Sequence, residues 1–156
     1  MKFDPANPDR LTDRAKSVLV EAEALAMARN SSDIAPEDLL LALARRDRGV
    51  GRSVLEVLSI DLDALQKDLA ALAPHRERGV SWPSALGFSP EALHVLAWAK
   101  EEAASLDHRY LGSEHLVLGL LRDENSKAGT FLRDRSASSA RAREALRAIL
   151  GGDTGR

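Results

Sequence analysis

The sequence predicts an all-α protein of two four-helix repeats, eight helices in all. Two observations carry this expectation. Leucine and alanine supply 50 of the 156 residues, against three isoleucines and eight valines, and both are strong helix formers. The chain also repeats itself: a shift of 77 residues aligns its two halves without a gap. Ala15, Val18, Leu19, Ala22 and Ala26 fall on Ala92, Val95, Leu96, Ala99 and Ala103, and Leu55 and Leu69 fall on Leu132 and Leu146. Alanines and leucines coincide readily in such a composition. A shared Glu-x-Leu-x-Leu-x-Leu-x-Arg, from Glu37 to Arg45 and again from Glu114 to Arg122, does not arise that way.

The first helix of each repeat opens on a hydroxyl N-cap, Thr12 or Ser89, the latter followed by Pro90 and Glu91 in favoured first-turn positions. Its apolar residues at 11, 15, 18, 19, 22 and 26 follow the spacing of one buried stripe. The second helix, over roughly 36–45 and 113–122, is too rich in leucine for a surface helix and is expected at the centre. Shorter helices follow near 51–58 and 61–72, and again near 127–133 and 138–150. Pro74, Gly79, Pro83 and Gly87 mark a connector, with Trp82 expected to dock it onto a helix face. The expected organisation is therefore a flexible tail at 1–10, a first repeat at 11–73, a linker at 74–87, a second repeat at 88–150 and a tail at 151–156.

Composition removes several classes of function. A chain of this length buries roughly 68–70% of its unfolded surface and needs no disulfide or metal staple. Cysteine is absent, which excludes a disulfide framework, thiolate zinc sites and a cysteine nucleophile. With 22 basic and 24 acidic residues there is no overall field to favour nucleic acid or an anionic membrane. The opening Met1-Lys2-Phe3-Asp4-Pro5 is unlike a signal peptide, and the longest purely apolar run, Leu39 to Ala44, is far short of the ~20 residues of a span. A soluble, cytoplasmic location is expected. Gly-Lys never occurs, so a phosphate-binding loop cannot be built, and Gly112-Ser113-Glu114 lacks the flanking glycines and strand of a nucleophile elbow. No catalytic residue, cofactor or metal site is expected, and the chain is read as a non-enzyme.

Among polar residues, His75, His94, His108 and His115 lack the i, i+4 spacing that puts two imidazoles on one helix face. His108 and His115 are expected instead to hydrogen-bond around a helix start. In the first repeat Ser31 and Asp38 fall at their positions. Arg45, Arg46, Arg48 and Arg52, and Arg133, Arg135, Arg141, Arg143 and Arg147, are interleaved with acids, and Phe131 sits where a core residue is expected. They read as solvated helix faces rather than a nucleic-acid surface. Glu37 and Glu114 differ, because each stands at the start of a central helix in its own repeat. They are open to two readings, a carboxylate complementing a helix N-terminus or one exposed at a repeat junction to receive a cation.

Leu-Thr-Asp-Arg-Ala-Lys at 11–16, Phe-Ser-Pro-Glu-Ala at 88–92 and, above all, the stretch from Leu106 to Arg122 (LDHRYLGSEHLVLGLLR) resemble the Clp N-terminal, or Clp repeat, domain family. That family's signature reads Leu-Gly-His-x-Tyr-Ile-Gly-Thr-Glu-His-Ile-Leu-Leu-Gly-Leu. The resemblance covers about residues 11–150 and is stronger in the second repeat. In the first, Ala35-Pro36-Glu37-Asp38 keeps the glutamate and loses the hydroxyl and the histidine. The resemblance is to the N domain of ClpC-type unfoldases, a pseudo-twofold bundle of eight helices that receives substrates and adaptors and in some members binds phosphoarginine. It implies Glu37 and Glu114 as guanidinium contacts and Thr12 and Ser89 as phosphate contacts. No ATPase module follows, so the chain is read either as a stand-alone protein, which the start methionine and glycine-rich end favour slightly, or as an N domain cut from a larger chain.

The expected function is a non-catalytic recognition module of the Clp system. It would meet Clp ATPase or protease components and adaptor or substrate proteins, with no nucleic acid and no membrane. The alternatives are an accessory subunit docking on a Clp protease or unfoldase ring and, of a different class, a helical nucleic-acid binder.

Overall fold

The computed structural model describes residues 11–46, 49–72 and 86–152. The expectations for residues 1–10, for 74–85 with His75 and Trp82, for Arg48 and for 153–156 fall outside them. Among the described residues the chain forms eight helices: α1 Asp13–Ala28, α2 Pro36–Arg46, α3 Val50–Val57, α4 Leu62–Leu72, α5 Pro90–Ser105, α6 Ser113–Arg122, α7 Lys127–Asp134 and α8 Ser139–Gly152. The 77-residue shift carries the first residue of each of α1 to α4 onto the first residue of α5 to α8. The expected helix ends hold to within a residue, except that α8 runs two residues further, through Gly151 and Gly152; helix ends commonly shift by that much.

The same local chemistry starts and stops the matched helices. Thr12 Oγ1 accepts the Ala15 N–H and Ser89 Oγ the Ala92 N–H, both at 3.1 Å, so each hydroxyl satisfies one of the orphan donors of its first turn. The first helix of each repeat ends on a left-handed residue, Asn30 (φ 56°) or Asp107 (φ 62°), and the third on Ser59 (φ 63°) or Ser136 (φ 65°). Each of these turns the chain so that the next amide reaches back: Ser31 N–H to Ala26 O, His108 N–H to Ala103 O, Ile60 N–H to Leu55 O and Ala137 N–H to Leu132 O, at 2.9–3.1 Å.

The two repeats share one core. Residues 36–44 of α2 and 113–121 of α6 are buried, as their leucine density requires, and both helices lie at the centre. α6 packs on α1, α2, α3, α5, α7 and α8, and α2 on all of α1 and α3 to α7. The third helices cross over: α3 packs on α6 and α8 of the second repeat, and α7 on α2 and α4 of the first. Two parallel bridges tie the repeats at their entry turns, Leu11 to Leu111 and Ile34 to Phe88. The shift carries 11 onto 88 and 34 onto 111, so the bridges are one contact made twice with the roles exchanged. Its hydrogen bonds match too, Thr12 N–H to Leu111 O at 3.0 Å and Ser89 N–H to Ile34 O at 2.9 Å.

Candidate functional site

These bridges bring each N-cap hydroxyl to the turn that carries the other repeat's glutamate. Thr12 binds the backbone of Leu111, three residues before Glu114; Ser89 binds that of Ile34, three residues before Glu37. The four residues singled out from the sequence therefore sort into two crossed pairs, Thr12 with Glu114 and Ser89 with Glu37. No proximity of the two glutamates was needed to find them, and neither pair belongs to a single repeat.

Both glutamates are buried, Glu37 at 6% and Glu114 at 5% exposure, and they are held differently. Glu37 Oε1 accepts the Lys127 N–H at 3.2 Å and so serves the N-terminus of α7, across the repeat boundary. Burial pushes its carboxyl above the usual carboxylate range, with a further push from Asp38; its backbone hydrogen bonds and Lys127 only partly offset this. Glu114 folds back over Gly112, where a Cβ would stand 2.9 Å from its carboxyl carbon. Tyr110 Oη also donates to Glu114 Oε2 at 3.4 Å. The methyl of Ala35 stands at the matching position of the first repeat, which accounts for the different course of the Glu37 carboxylate.

The turn before each glutamate is held by a matched cap with different side chains. In the second repeat the Gly112 N–H donates to His115 Nδ1 at 2.9 Å. In the first, the Ala35 N–H donates to Asp38 Oδ2 at the same distance. Behind these caps stand two further pairs. His115 Nε2 lies 2.8 Å from His108 Nδ1, the histidine contact expected around a helix start. Asp38 is paired with the Arg29 guanidinium. His115 is fully buried, and that burial, with His108 beside it, drives its pKa down to about 3. Burial pushes the Asp38 carboxyl up, and Arg29 and the Ala35 N–H counter it.

Sequence reasoning singled out Glu37, Glu114, Thr12 and Ser89 but not Lys127, Tyr110 and Arg29, which contact them or their turns. Arg29 had a signal, because it stands where the second repeat has Leu106, so an added cation accompanies the exchange of His115 for Asp38. Lys127 had none, because the contact joins residues 90 apart in different repeats.

The arginines serve the fold. Arg143 forks onto the buried Glu102 carboxylate at 2.6 and 3.1 Å, and Arg122 reaches the same carboxylate and lies over Trp98. Arg135 covers Phe131, a core residue as expected, and pairs with Asp68. Arg133 donates to the carbonyls of Asp123 and Glu124. Among the described residues no helix is long and apolar enough to cross a membrane.

The sequence profile of the Clp repeat (R) N-terminal domain matches residues 10–135. Over 142 residues, 91% of the chain, it is 31% identical to the negative regulator of genetic competence ClpC/MecB of Bacillus subtilis, of which this covers 17%. It is 32% identical over the same length to the ATP-dependent Clp protease ATP-binding subunit ClpC of Staphylococcus saprophyticus, again 17% of that protein. The chain thus spans about a sixth of the curated relatives it matches. Among solved structures, the ClpV N-domain in complex with VipB peptide superposes with a TM-score of 0.75 at 18% identity, covering 100% of this chain and 97% of that one. The Hsp104 N-terminal domain from Candida albicans gives 0.72 at 18% identity, covering 90% and 91%. Shared repeat, shared sequence and shared fold agree: the chain belongs to the Clp repeat N-terminal domain family.

Proposed function

We propose that the chain is a non-catalytic recognition module of the Clp ATP-dependent protease and chaperone system. It receives substrate or adaptor proteins, and its two crossed pairs take phosphoarginine side chains on them. The observation that carries this reading is the crossed placement itself, a hydroxyl-capped helix start set against a buried glutamate, made twice. A phosphoarginine side chain is a guanidine with a phosphoryl group at its end, so it needs a carboxylate and an anion site side by side. Glu37 suits the first task because its burial outweighs the hydrogen bonds it receives, so an arriving cationic group relieves it. Thr12 and Ser89 suit the second. Each oxygen accepts one backbone N–H, and its own O–H remains to donate to a phosphate oxygen at a helix N-terminus.

The peptide seated on the ClpV N-domain supports a protein-binding role for the fold. The test is calorimetric titration of free phosphoarginine into the wild type and a Glu37→Ala/Glu114→Ala double variant, both shown folded by circular dichroism. Wild-type binding weakened tenfold or more in the variant is expected, since each glutamate offers a charge-assisted bond worth about 1.5–3 kcal/mol. Equal affinity in the two rejects the ligand assignment. Binding to neither leaves the docking of unmodified proteins as the function.

A further inference from the structure

The crossed sites share a backbone cap but not its chemistry, and the difference is a titratable one. The Gly112 N–H donates to His115 Nδ1, so that nitrogen carries no proton and the neutral ring holds its proton on Nε2. Nε2 therefore donates to His108 Nδ1, 2.8 Å away, and His108 in turn is unprotonated at Nδ1. The chain of bonds from Gly112 through His115 to His108 is satisfied in one proton arrangement, with both rings neutral. In the first repeat the same cap runs from Ala35 to Asp38 to Arg29, an ion pair whose cation does not titrate in the physiological range.

The geometry points to His108 and His115 as a proton-operated positioning pair for Glu114: mild acid, acting through His108, weakens the binding of a phosphoarginine-like ligand at the Glu114–Thr12 site. His115 is fully buried and His108 half-buried, so His108 receives the added proton. Two N–H groups then face each other at 2.8 Å. Relief requires either that the rings part or that His115 moves its proton to Nδ1 and releases the Gly112 amide. Either change loosens the turn over which the Glu114 carboxylate is folded. Tyr110 carries the effect further, because its ring stacks on His108 with centroids 5.1 Å apart while its hydroxyl holds Glu114.

The other charged groups nearby leave the pair as the titrating element. Asp107 and Arg109 flank His108 in the chain and are exposed. Across α5, Glu102 is held by Arg143 of α8 and by Arg122. α3 meets the turn through the Gly51 N–H, which donates to Ser113 Oγ, and α1 through Thr12, followed by the exposed Asp13. Once protonated, His108 is the charge that bears on His115 itself.

The ligand half of this inference rests on the function proposed above, and the experiment separates the two. Amide NMR of the ligand-free protein is followed from about pH 7.5 to about pH 5.5, across the ordinary histidine pKa of about 6.5. Gly112 is expected to shift and lose exchange protection, while Ala35, its counterpart, holds. His108→Asn keeps an acceptor for His115 and removes the titration, so the Gly112 transition should vanish with the cap intact at neutral pH. A Gly112 amide indifferent to pH, or an unchanged transition in His108→Asn, overturns the positioning pair.

Phosphoarginine is then titrated into Glu37→Ala, which retains the Glu114 site, and into the same variant carrying His108→Asn. Between the two pH values the first should lose about tenfold in affinity, the worth of one charge-assisted bond, and the second less than about twofold. Equal losses overturn the link from the pair to the ligand. A responsive Gly112 with no ligand bound at either pH upholds the pair and rejects the phosphoarginine reading alone.

Discussion

Gly119→Ala puts the packing argument at its most exposed point. Gly119 lies in the middle of α6, where α5 approaches so closely that an added Cβ would stand 3.0 Å from the Ala99 nitrogen and nearer still to the Val95 carbonyl oxygen. Carbon–oxygen contacts in proteins sit at about 3.3–3.6 Å even when favourable. Both obstructing atoms are backbone, so no side chain can swing aside and the two helices must separate along their interface. Overpacking of this kind costs about 1–3 kcal/mol. Alanine returns up to about 1 kcal/mol of helix propensity. With backbone as the obstruction the overpacking cost falls at the upper end of its range, so the expected net loss is about 2 kcal/mol, or about 4–8 °C in Tm at about 2–4 °C per kcal/mol for a chain of this size.

Thermal and urea unfolding followed by circular dichroism measures it. The control is Ala42→Gly, the matching position in α2. There a fully buried methyl is accommodated, and its removal costs about 1 kcal/mol in propensity alone. The reasoning is refuted if Gly119→Ala leaves the protein as stable as before or raises its Tm, because helix propensity would then outweigh a clash the structure does not relieve.

Three further outcomes follow from the same geometry. Ser59→Gly and Ser136→Gly should each stabilise by about 0.5–1 kcal/mol, since a left-handed residue with a side chain is strained by about 1–2 kcal/mol and glycine loses part of that gain through its freer unfolded chain; urea midpoints report it. His115 binds its proton far less readily folded than unfolded, so stability should fall as pH drops from about 6.5 toward 3, by up to about 1.4 kcal/mol per unit, and His115→Asn should remove that slope in urea titrations at stepped pH. Glu37 has the opposite sign. Its raised pKa means that the folded state holds the proton more tightly, so this stability is full below the ordinary carboxylate value of 4.5 and is lost as pH rises through the folded value, and Glu37→Gln should match or exceed the wild type at pH 7 with the gap closing toward pH 4.5.

What the sequence made legible was whatever recurs locally. Helix starts were readable because Thr12 and Ser89 announce themselves by hydroxyl and spacing, and the central place of α2 and α6 was readable because no surface helix carries so many leucines. The 77-residue register then fixed the pairing of elements without any coordinates. What stayed hidden was everything that depends on the two repeats crossing. Nothing in the residues near Glu37 says that its carboxylate will cap α7, or that α3 will pack more heavily on α6 and α8 than on α2 of its own repeat. The histidine contact was legible because both rings lie within one signature stretch. Its counterpart, Arg29 with Asp38, was only half legible, because the two residues lie on different elements and their nine-residue separation follows no helical period.

The crossing also decides what duplication has done for function. A repeat that folded alone would carry both its hydroxyl and its glutamate, yet here each site takes one from either copy. The exchange of Leu11 for Phe88 and of Ile34 for Leu111 in the two bridges means that the junctions are alike in backbone and free to differ in side chains. They have differed: Ala35, Asp38 and Arg29 build one turn, and Gly112, His115 and His108 the other. Because the backbone hydrogen bond is kept in both, the substitution alters how the turn responds to protons and charge without altering where it lies. On the function proposed above, two sites alike in backbone and unequal in chemistry would let a single module hold two parts of one partner on different terms.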